Sequence, residues 1–178
     1  TLLGCVREGN LIKNDDDFDA GYVSLKKSPK EVKRETIEII TNLLKQGFNI
    51  TINYIGRLFR IDNGTGVHLD ILTVWFKGDW NVAYGGAGIK LGVDDFLPVS
   101  NGTLMSSDVY VPNRSEVFLS GYYGEGWRVP DPGYVSNNKQ TGKTFIKDYH
   151  KNLMTQLEFL KLQKKIELEK KTNPEMGI

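Results

Sequence analysis

This sequence of 178 residues has very little cysteine, almost no net charge and no long apolar run. Its single cysteine, Cys5, excludes a disulfide within the chain and favours a reducing compartment. A net charge of +1 gives no overall field that would attract nucleic acid, so we expect no nucleic-acid partner. No apolar run reaches the roughly 20 residues of a membrane-spanning helix. We therefore expect a cytoplasmic protein, at most peripheral at a membrane, or a protein of the secretory lumen if its source is eukaryotic.

Carboxylates, by contrast, are concentrated in one short segment, where Asp15, Asp16, Asp17 and Asp19 fall within five residues. In an extended strand, Asp15, Asp17 and Asp19 share one face because successive side chains alternate. Three carboxylates on one face repel one another unless a cation lies among them. A hard divalent cation such as Mg²⁺ is the natural partner for these oxygens.

This segment has two other interpretations, a solvated loop and a calcium-binding loop. A run of aspartates is most often a solvated loop. A calcium-binding EF-hand loop counted from Asp15 needs glycine at its sixth position and glutamate at its twelfth, where this sequence has Ala20 and Lys26. The calcium loop is therefore excluded, and the solvated loop remains as the alternative to a metal site.

A further carboxylate, Asp70, stands alone in an apolar strand predicted for residues 67–75. An unpaired aspartate in such a strand costs several kcal/mol, so it requires a cation or a hydrogen-bonding partner. Asp70 is therefore either a structural aspartate with its own partner or the third carboxylate of a metal site. The second case requires its strand to neighbour the strand of Asp17 and Asp19.

The periodicity of the rest of the chain predicts alternating short strands and two longer amphipathic helices. Ser28 and Pro29 indicate the start of the first long helix, which Gly47 ends. The predicted helices are 1–8, 29–47, 116–123 and 145–171, the predicted strands are 18–25, 48–54, 57–61, 67–75 and 80–84, and short β segments are expected at 94–98 and 108–112. Residues 135–143 are polar and predict a linker.

Several short motifs accompany the aspartates along the chain: Thr1-Leu2-Leu3-Gly4, Arg7-Glu8-Gly9, Ile12, Asp15-Asp16-Asp17-Phe18-Asp19, Arg60, His68-Leu69-Asp70, Phe118-Leu119 and Tyr122-Tyr123-Gly124. Taken together, these motifs resemble the opening of the LicD/fukutin family, which belongs to the nucleotidyltransferase-fold superfamily. The resemblance covers residues 1–134, although Asn14 replaces the family's tryptophan before the aspartate strand. The family's preceding glycine and strand would lie upstream of Thr1, which indicates a fragment or a processed chain.

The resemblance implies an α+β fold with a nucleotidyltransferase-like mixed β-sheet flanked by helices and a C-terminal helical extension. It implies a catalytic domain over residues 1–134 that lacks its N-terminal strand. Residues 135–178 would then form the linker and the C-terminal helix.

The resemblance also implies a transferase that moves a phospho-alcohol from a CDP-linked donor to a hydroxyl of a glycan or glycolipid. The donor would be CDP-choline, CDP-ribitol or CDP-glycerol, so the group moved is phosphocholine or a polyol phosphate. Asp17, Asp19 and Asp70 would hold Mg²⁺ or Mn²⁺. Asp15 would complete the metal shell or act as general base on the acceptor hydroxyl.

Three further residues are candidates for holding the donor phosphates. Thr1 is either a phosphate ligand at a helix start or a plain N-cap. Arg7 and Arg60 are candidates for clamping phosphate oxygens, and the alternative for Arg7 is a surface ion pair.

A second class of function remains, a non-catalytic glycan- or metal-binding module in which the same carboxylates hold a structural cation. Stabilisation by Mg²⁺ and a cytidine nucleotide together would distinguish the enzyme from the module. Association with a larger polypeptide or with a membrane-associated assembly is compatible with either class.

Overall fold

The computed structural model of the chain describes residues 1–13, 18–53, 56, 58–62, 64–83, 87–134 and 144–172. The helices in these ranges are α1 (Leu2–Glu8), α2 (Pro29–Lys45), α3 (Ser115–Tyr123), α4 (Thr144–Lys151) and α5 (Gln156–Thr172). The strands are β1 (Asp19–Ser24), β2 (Asn49–Ile52), β3 (Leu58–Asp62), β4 (His68–Lys77), β5 (Trp80–Ala83), β6 (Ala87–Ile89), β7 (Ser100–Leu104) and β8 (Ser107–Val111). No helix in the described ranges is both long and apolar enough to cross a membrane.

Six strands form one mixed sheet in the order β2-β3-β4-β5-β6, with β1 paired to β4. β1 runs parallel to β4, whereas the other neighbours are antiparallel. Asp70 of β4 pairs with both Asp19 of β1 and Arg60 of β3, so β1 and β3 lie on opposite sides of β4. A mixed sheet flanked by helices confirms the predicted α+β class.

Side-chain alternation along β4 gives the sheet two faces with different coverings. Trp75 points to the face covered by α2, α4 and α5, which we call the α2 face. Val74 and Phe76 point to the opposite face, covered by α1 and α3, which we call the α1 face. Asp70 is four residues before Val74 in β4, and residues an even number of positions apart share a face, so the Asp70 side chain lies on the α1 face. It lies at the end of that face, past its apolar part.

α2 begins where the sequence predicts. The hydroxyl of Ser28 donates to the carboxylate of Glu31 at 2.8 Å, and the N–H of Glu31 reaches the same hydroxyl at 3.4 Å. Pro29 occupies the first turn, where its missing N–H costs nothing. The helix buries Val32 and Ile40 on the α2 face, which confirms the predicted amphipathic helix.

The C-terminal segment forms two helices where one continuous helix was predicted. Thr155 begins α5 with a capping box, in which its N–H donates to the Glu158 carboxylate at 2.8 Å and its hydroxyl accepts from the Glu158 N–H at 3.2 Å. The break allows both helices to follow the α2 face, where Tyr149 stacks on Trp75 with ring centroids 5.5 Å apart. The predicted linker, residues 135–143, lies outside the described residues.

The β segment predicted for residues 94–98 is wrong, because Val93–Asp95 is a 3₁₀ turn. The carboxylate of Asp95 accepts from the N–H of Gly92 at 2.8 Å, and Phe96 N–H donates to the carbonyl of Val93 at 2.9 Å. An aspartate that bonds backward to the backbone competes with strand formation and favours a turn.

Gly4 of α1 packs against the backbone that leads into the aspartate-rich segment. A Cβ at this position would overlap the carbonyl oxygen of Asn10 and lie 3.1 Å from the backbone nitrogen of Ile12. We expect Gly4→Ala to lower the free energy of unfolding by about 1–3 kcal/mol, the range for overpacking. Thermal unfolding measures this, with Gly126→Ala as the control because nothing lies within 4 Å of that position. Equal losses in both variants would contradict the close approach.

Candidate active site

Three charged residues meet at the polar end of the α1 face, one from each of three adjacent strands. Asp19 of β1 is the register partner of Asp70 in β4, and Asp70 is the register partner of Arg60 in β3. Register partners point to the same face, and neighbouring strands lie about 4.8 Å apart. The strand neighbourhood that a shared metal site requires is therefore present for Asp19 and Asp70.

The parallel pairing that brings the two aspartates together is fixed at its first residues. The N–H of Asp70 donates to the carbonyl of Phe18 at 2.8 Å. The N–H of Asp19 donates to the hydroxyl of Thr1 at 2.9 Å. The Thr1 side chain makes no capping bond to its own helix and instead joins α1 to the start of β1. Thr1 therefore lies next to Asp19, and its role as phosphate ligand stays a prediction.

Arg60 and Asp70 form a two-pronged ion pair. Nε of Arg60 is 2.6 Å from Oδ1 of Asp70, and Nη2 is 2.9 Å from Oδ2. The Asp70 side chain is 14% exposed and that of Arg60 is 40% exposed, so the carboxylate is the more enclosed partner. This pair supplies the hydrogen-bonding partner that an aspartate in an apolar strand requires. It orients both oxygens of Asp70 within the plane of the guanidinium fork.

Arg7 lies at the other end of α1, about 9 Å along the helix axis from Thr1. Its Nε and Nη2 contact the carboxylate of Glu8 at 3.1 and 2.7 Å, and its Nη1 donates to the carbonyl of Trp127 at 3.4 Å. The side chain is only 13% exposed, because α1 packs near the turn that carries Trp127. The contact with Glu8 is the ion pair considered for Arg7 from the sequence, and its contact with phosphate stays a prediction.

Two of the predicted site residues, Asp15 and Asp17, fall in 14–17, outside the described residues. Their roles therefore stay predictions. In the described part of the chain, no three histidine, cysteine, aspartate or glutamate side chains come together as a metal-binding group. Asp19 and Asp70 are the two predicted metal ligands that lie within the described residues, and their role as ligands stays a prediction.

A cavity of about 340 Å³ adjoins Asp19 on the α1 face, away from Arg60. Its floor is β1 and its walls are α1 and the β7–β8 hairpin, with Val99, Val109 and Tyr110 on the hairpin side. The hairpin is tied to α1, since the N–H of Met105 donates to the carbonyl of Gly9 at 3.0 Å. Cys5 also lines this cavity. Because burial raises the pKa of its thiol above the ordinary value, the thiol is protonated at neutral pH.

The cavity was not predicted from the sequence, because β7, which forms part of its wall, was not predicted. Met105 and Ser106 form the hairpin turn with φ of 51° and 65°, a conformation for which Asn-Gly is the usual signal. The available signal is the β segment predicted for residues 108–112, which is observed as β8 at Ser107–Val111 and which requires a partner strand.

Comparison with known proteins identifies a family whose domain covers the strands that carry the candidate site. The family model described as LicD/FKTN/FKRP, nucleotidyltransferase domain, matches residues 1–114, which include α1, all six strands of the sheet and the hairpin. A search of curated proteins finds no match. The match spans more than half of the 178 residues and contains Asp19, Arg60 and Asp70. The chain therefore belongs to the LicD/FKTN/FKRP nucleotidyltransferase-domain family.

Proposed function

We propose that this protein transfers a phospho-alcohol from a CDP-linked donor to a hydroxyl of a glycan or glycolipid in a reaction that depends on a divalent metal. Membership of the family gives a phosphotransferase role on glycans in general. The observation that carries the finer proposal is the juxtaposition of Asp19 and Asp70 on adjacent parallel strands. Two carboxylates on one face fit Mg²⁺, which binds through one or two carboxylates together with substrate phosphates.

The aspartates of the polar end would hold the metal. Asp19 and Asp70 supply two of the carboxylates, and Asp17, two residues before Asp19, is proposed to supply the third. When bound, Mg²⁺ or Mn²⁺ neutralises charge on the diphosphate and orients the phosphorus for in-line attack. Arg60 holds Asp70 in a fixed orientation, which keeps that carboxylate ready to bind the ion.

The transfer itself breaks one phosphorus–oxygen bond and forms another. The acceptor hydroxyl attacks the phosphorus that bears the alcohol, and CMP leaves with the electrons of the broken bond. The hydroxyl proton passes to a base, for which Asp15 is the proposed residue if it does not complete the metal shell. Thr1 and Arg7 are proposed to contact donor phosphate oxygens.

A panel of CDP-alcohols tests the proposal. Purified protein is incubated with Mg²⁺, an acceptor mixture and CDP-choline, CDP-ribitol or CDP-glycerol, and CMP release is followed. We expect CMP from one donor of the panel, and none after removal of the metal with a chelator. Release that is unaffected by chelation would contradict the metal-dependent mechanism.

Arg60 is expected to affect donor binding more than turnover. Arg60→Ala removes a charged hydrogen-bonding group that is proposed to lie close to the diphosphate. It also removes the partner that orients Asp70. The variant should therefore raise the donor KM about tenfold to a hundredfold. Arg60→Lys should rescue poorly because lysine lacks the two-pronged fork.

Arg128→Ala is the matched control for Arg60, because Arg128 pairs with Glu116 on the exposed surface. Surface pairs contribute little, so steady-state kinetics of this variant should be those of the wild type. If Arg60→Ala also keeps the wild-type KM and kcat, Arg60 contributes neither to the donor site nor to the orientation of Asp70.

A further inference from the structure

The cavity beside Asp19 has a composition that differs sharply from the polar end of the α1 face. Asp19 is the one charged residue among the described residues that line it. The rest of the lining is mainly aliphatic and aromatic, and includes Phe18 and Val23 near β1, Phe118 of α3, and Val99, Val109 and Tyr110 on the hairpin side. Within the part of the chain that the structure describes, the lining is therefore apolar except at Thr1, Cys5 and the candidate metal ligand Asp19.

The mouth of the cavity is apolar as well. Val99 is 48% exposed and Tyr110 is 80% exposed, and both line the cavity. Exposed apolar side chains at the rim of a concave site mark a binding surface rather than ordinary surface. Both the exposed and the buried parts of the lining therefore offer apolar contacts to a ligand.

The composition of the lining indicates which group the cavity can bind: the diphosphate of the donor, the cytosine ring of the donor or an alkyl chain of the acceptor. A diphosphate needs cationic or N–H donors, and no Lys, Arg or His side chain is among the described lining residues. Thr1, the proposed phosphate contact, lies next to Asp19, so the diphosphate is proposed to bind at that polar boundary and not in the apolar interior. A cytosine ring needs partners for its amino group and its ring acceptors, whereas the polar side chains near the cavity are few and the thiol of Cys5 already donates to the carbonyl of Thr103 at 3.4 Å. An alkyl chain needs only apolar contact and enough volume, and both are present.

We infer that the cavity binds the alkyl chain of the acceptor, so that the acceptor is a glycolipid whose reacting hydroxyl lies near its lipid end. This inference rests on the proposed transferase function, because Asp19 connects the cavity to the transfer site. In this inference the chain contacts the exposed lining residues Val99 and Tyr110 and the lining residues of β1, and the attached sugar hydroxyl lies near Asp19.

Binding of alkyl glucosides tests the inference without donor or metal. Ethyl, butyl, hexyl and octyl glucosides are titrated below their critical micelle concentrations by calorimetry and by NMR. Each buried methylene should tighten binding by up to about fourfold. A dissociation constant that does not change with chain length would overturn the inference.

Val99 and Val67 provide a matched pair of exposed valines. Val99 lines the cavity, whereas Val67, 57% exposed, is not among its lining residues. Val99→Asp and Val99→Lys should each weaken octyl glucoside binding at least tenfold, while Val67→Asp and Val67→Lys leave it unchanged. Opposite effects of Asp and Lys at position 99 would show an electrostatic effect rather than loss of apolar contact, and would overturn the inference.

Competition identifies the alternative occupant. If CMP displaces octyl glucoside from the wild-type protein, the cavity is a nucleotide site and the inference is wrong. If CMP release from CDP-alcohols is absent while alkyl glucosides bind with the expected dependence on chain length, the proposed transferase function fails and the apolar site remains. Unfolding curves of each variant confirm that the fold is intact.

Discussion

Asp19→Asn is expected to lower the transfer rate by three orders of magnitude or more while leaving the fold intact. The substitution removes one negative charge from the polar end of the α1 face but keeps the size of the side chain. Because the bond to Thr1 comes from the Asp19 backbone, it survives the change. Removing a carboxylate from a crowded anionic face relieves repulsion, so the melting temperature without metal should stay level or rise.

Asp79→Asn is the control for this variant, since Asp79 is an exposed aspartate in the turn between β4 and β5. Its CMP release should match that of the wild type. The same loss of activity is expected for Asp17→Asn, at a residue outside the described ranges. Turnover near the wild-type level in Asp19→Asn would remove Asp19 from the metal site.

Asp70→Ala is expected to weaken Mg²⁺ binding and to lower the rate by orders of magnitude. Asp70 shares the α1 face with Asp19 across adjacent strands, so its carboxylate is expected to bind the same ion. The apparent metal affinity is measured from the dependence of the rate on Mg²⁺ and from Mn²⁺ binding by electron paramagnetic resonance. An unchanged Mn²⁺ affinity in Asp70→Ala would show that Asp70 has only a structural role.

Asp70 also has a structural partner, and a double-mutant cycle with Arg60→Ala separates the two roles. The coupling between Arg60 and Asp70 in the free energy of unfolding should be about 1 kcal/mol, because Arg60 is 40% exposed and solvent screens the pair. The loss of metal affinity should be larger in Asp70→Ala than in Arg60→Ala, since Arg60 acts on the ion only through Asp70.

The parts of the fold that the sequence predicts well are those with strong periodicity and clear end signals. α2 combines a capping serine, a first-turn proline and an amphipathic stripe, and its predicted start is correct. β4 is predicted at 67–75 and observed at His68–Lys77, because its continuous apolar run is typical of a strand covered on both faces.

The strands that were not predicted from the sequence depend on tertiary contacts and on pairing with other strands. β7 contains Asn101 and Gly102, which disfavour strands, and the approach of Gly102 to Val111 and Cys5 requires a residue without a side chain. β6 was not among the predicted strands, but Ala87–Ile89 pairs with β5. In both cases tertiary contacts override weak local propensity.

The candidate site was predictable in its residue types but not in its contacts. A strand of Asp70 next to the strand of Asp19 was one of two alternatives left open by the residues, and the family resemblance favoured it. The observed pairing of β1 with β4 confirms that the strands are neighbours. Nothing in the sequence indicated that Arg60 pairs with Asp70, because that contact follows from the antiparallel register of β3 and β4. The apolar cavity was also out of reach, since it requires the hairpin to close over β1.

The most direct test of the central claim is the melting temperature of the protein with Mg²⁺ alone, CDP alone and both together. We expect CDP to stabilise the fold only when Mg²⁺ is present. At a nucleotide concentration of about one hundred times Kd, the rise should be about 5–10 °C for a chain of this size. The rise should disappear in Asp19→Asn. An equal rise with CDP in the absence of metal, or no rise at saturating Mg²⁺ and CDP, would contradict a metal-dependent donor site at Asp19 and Asp70.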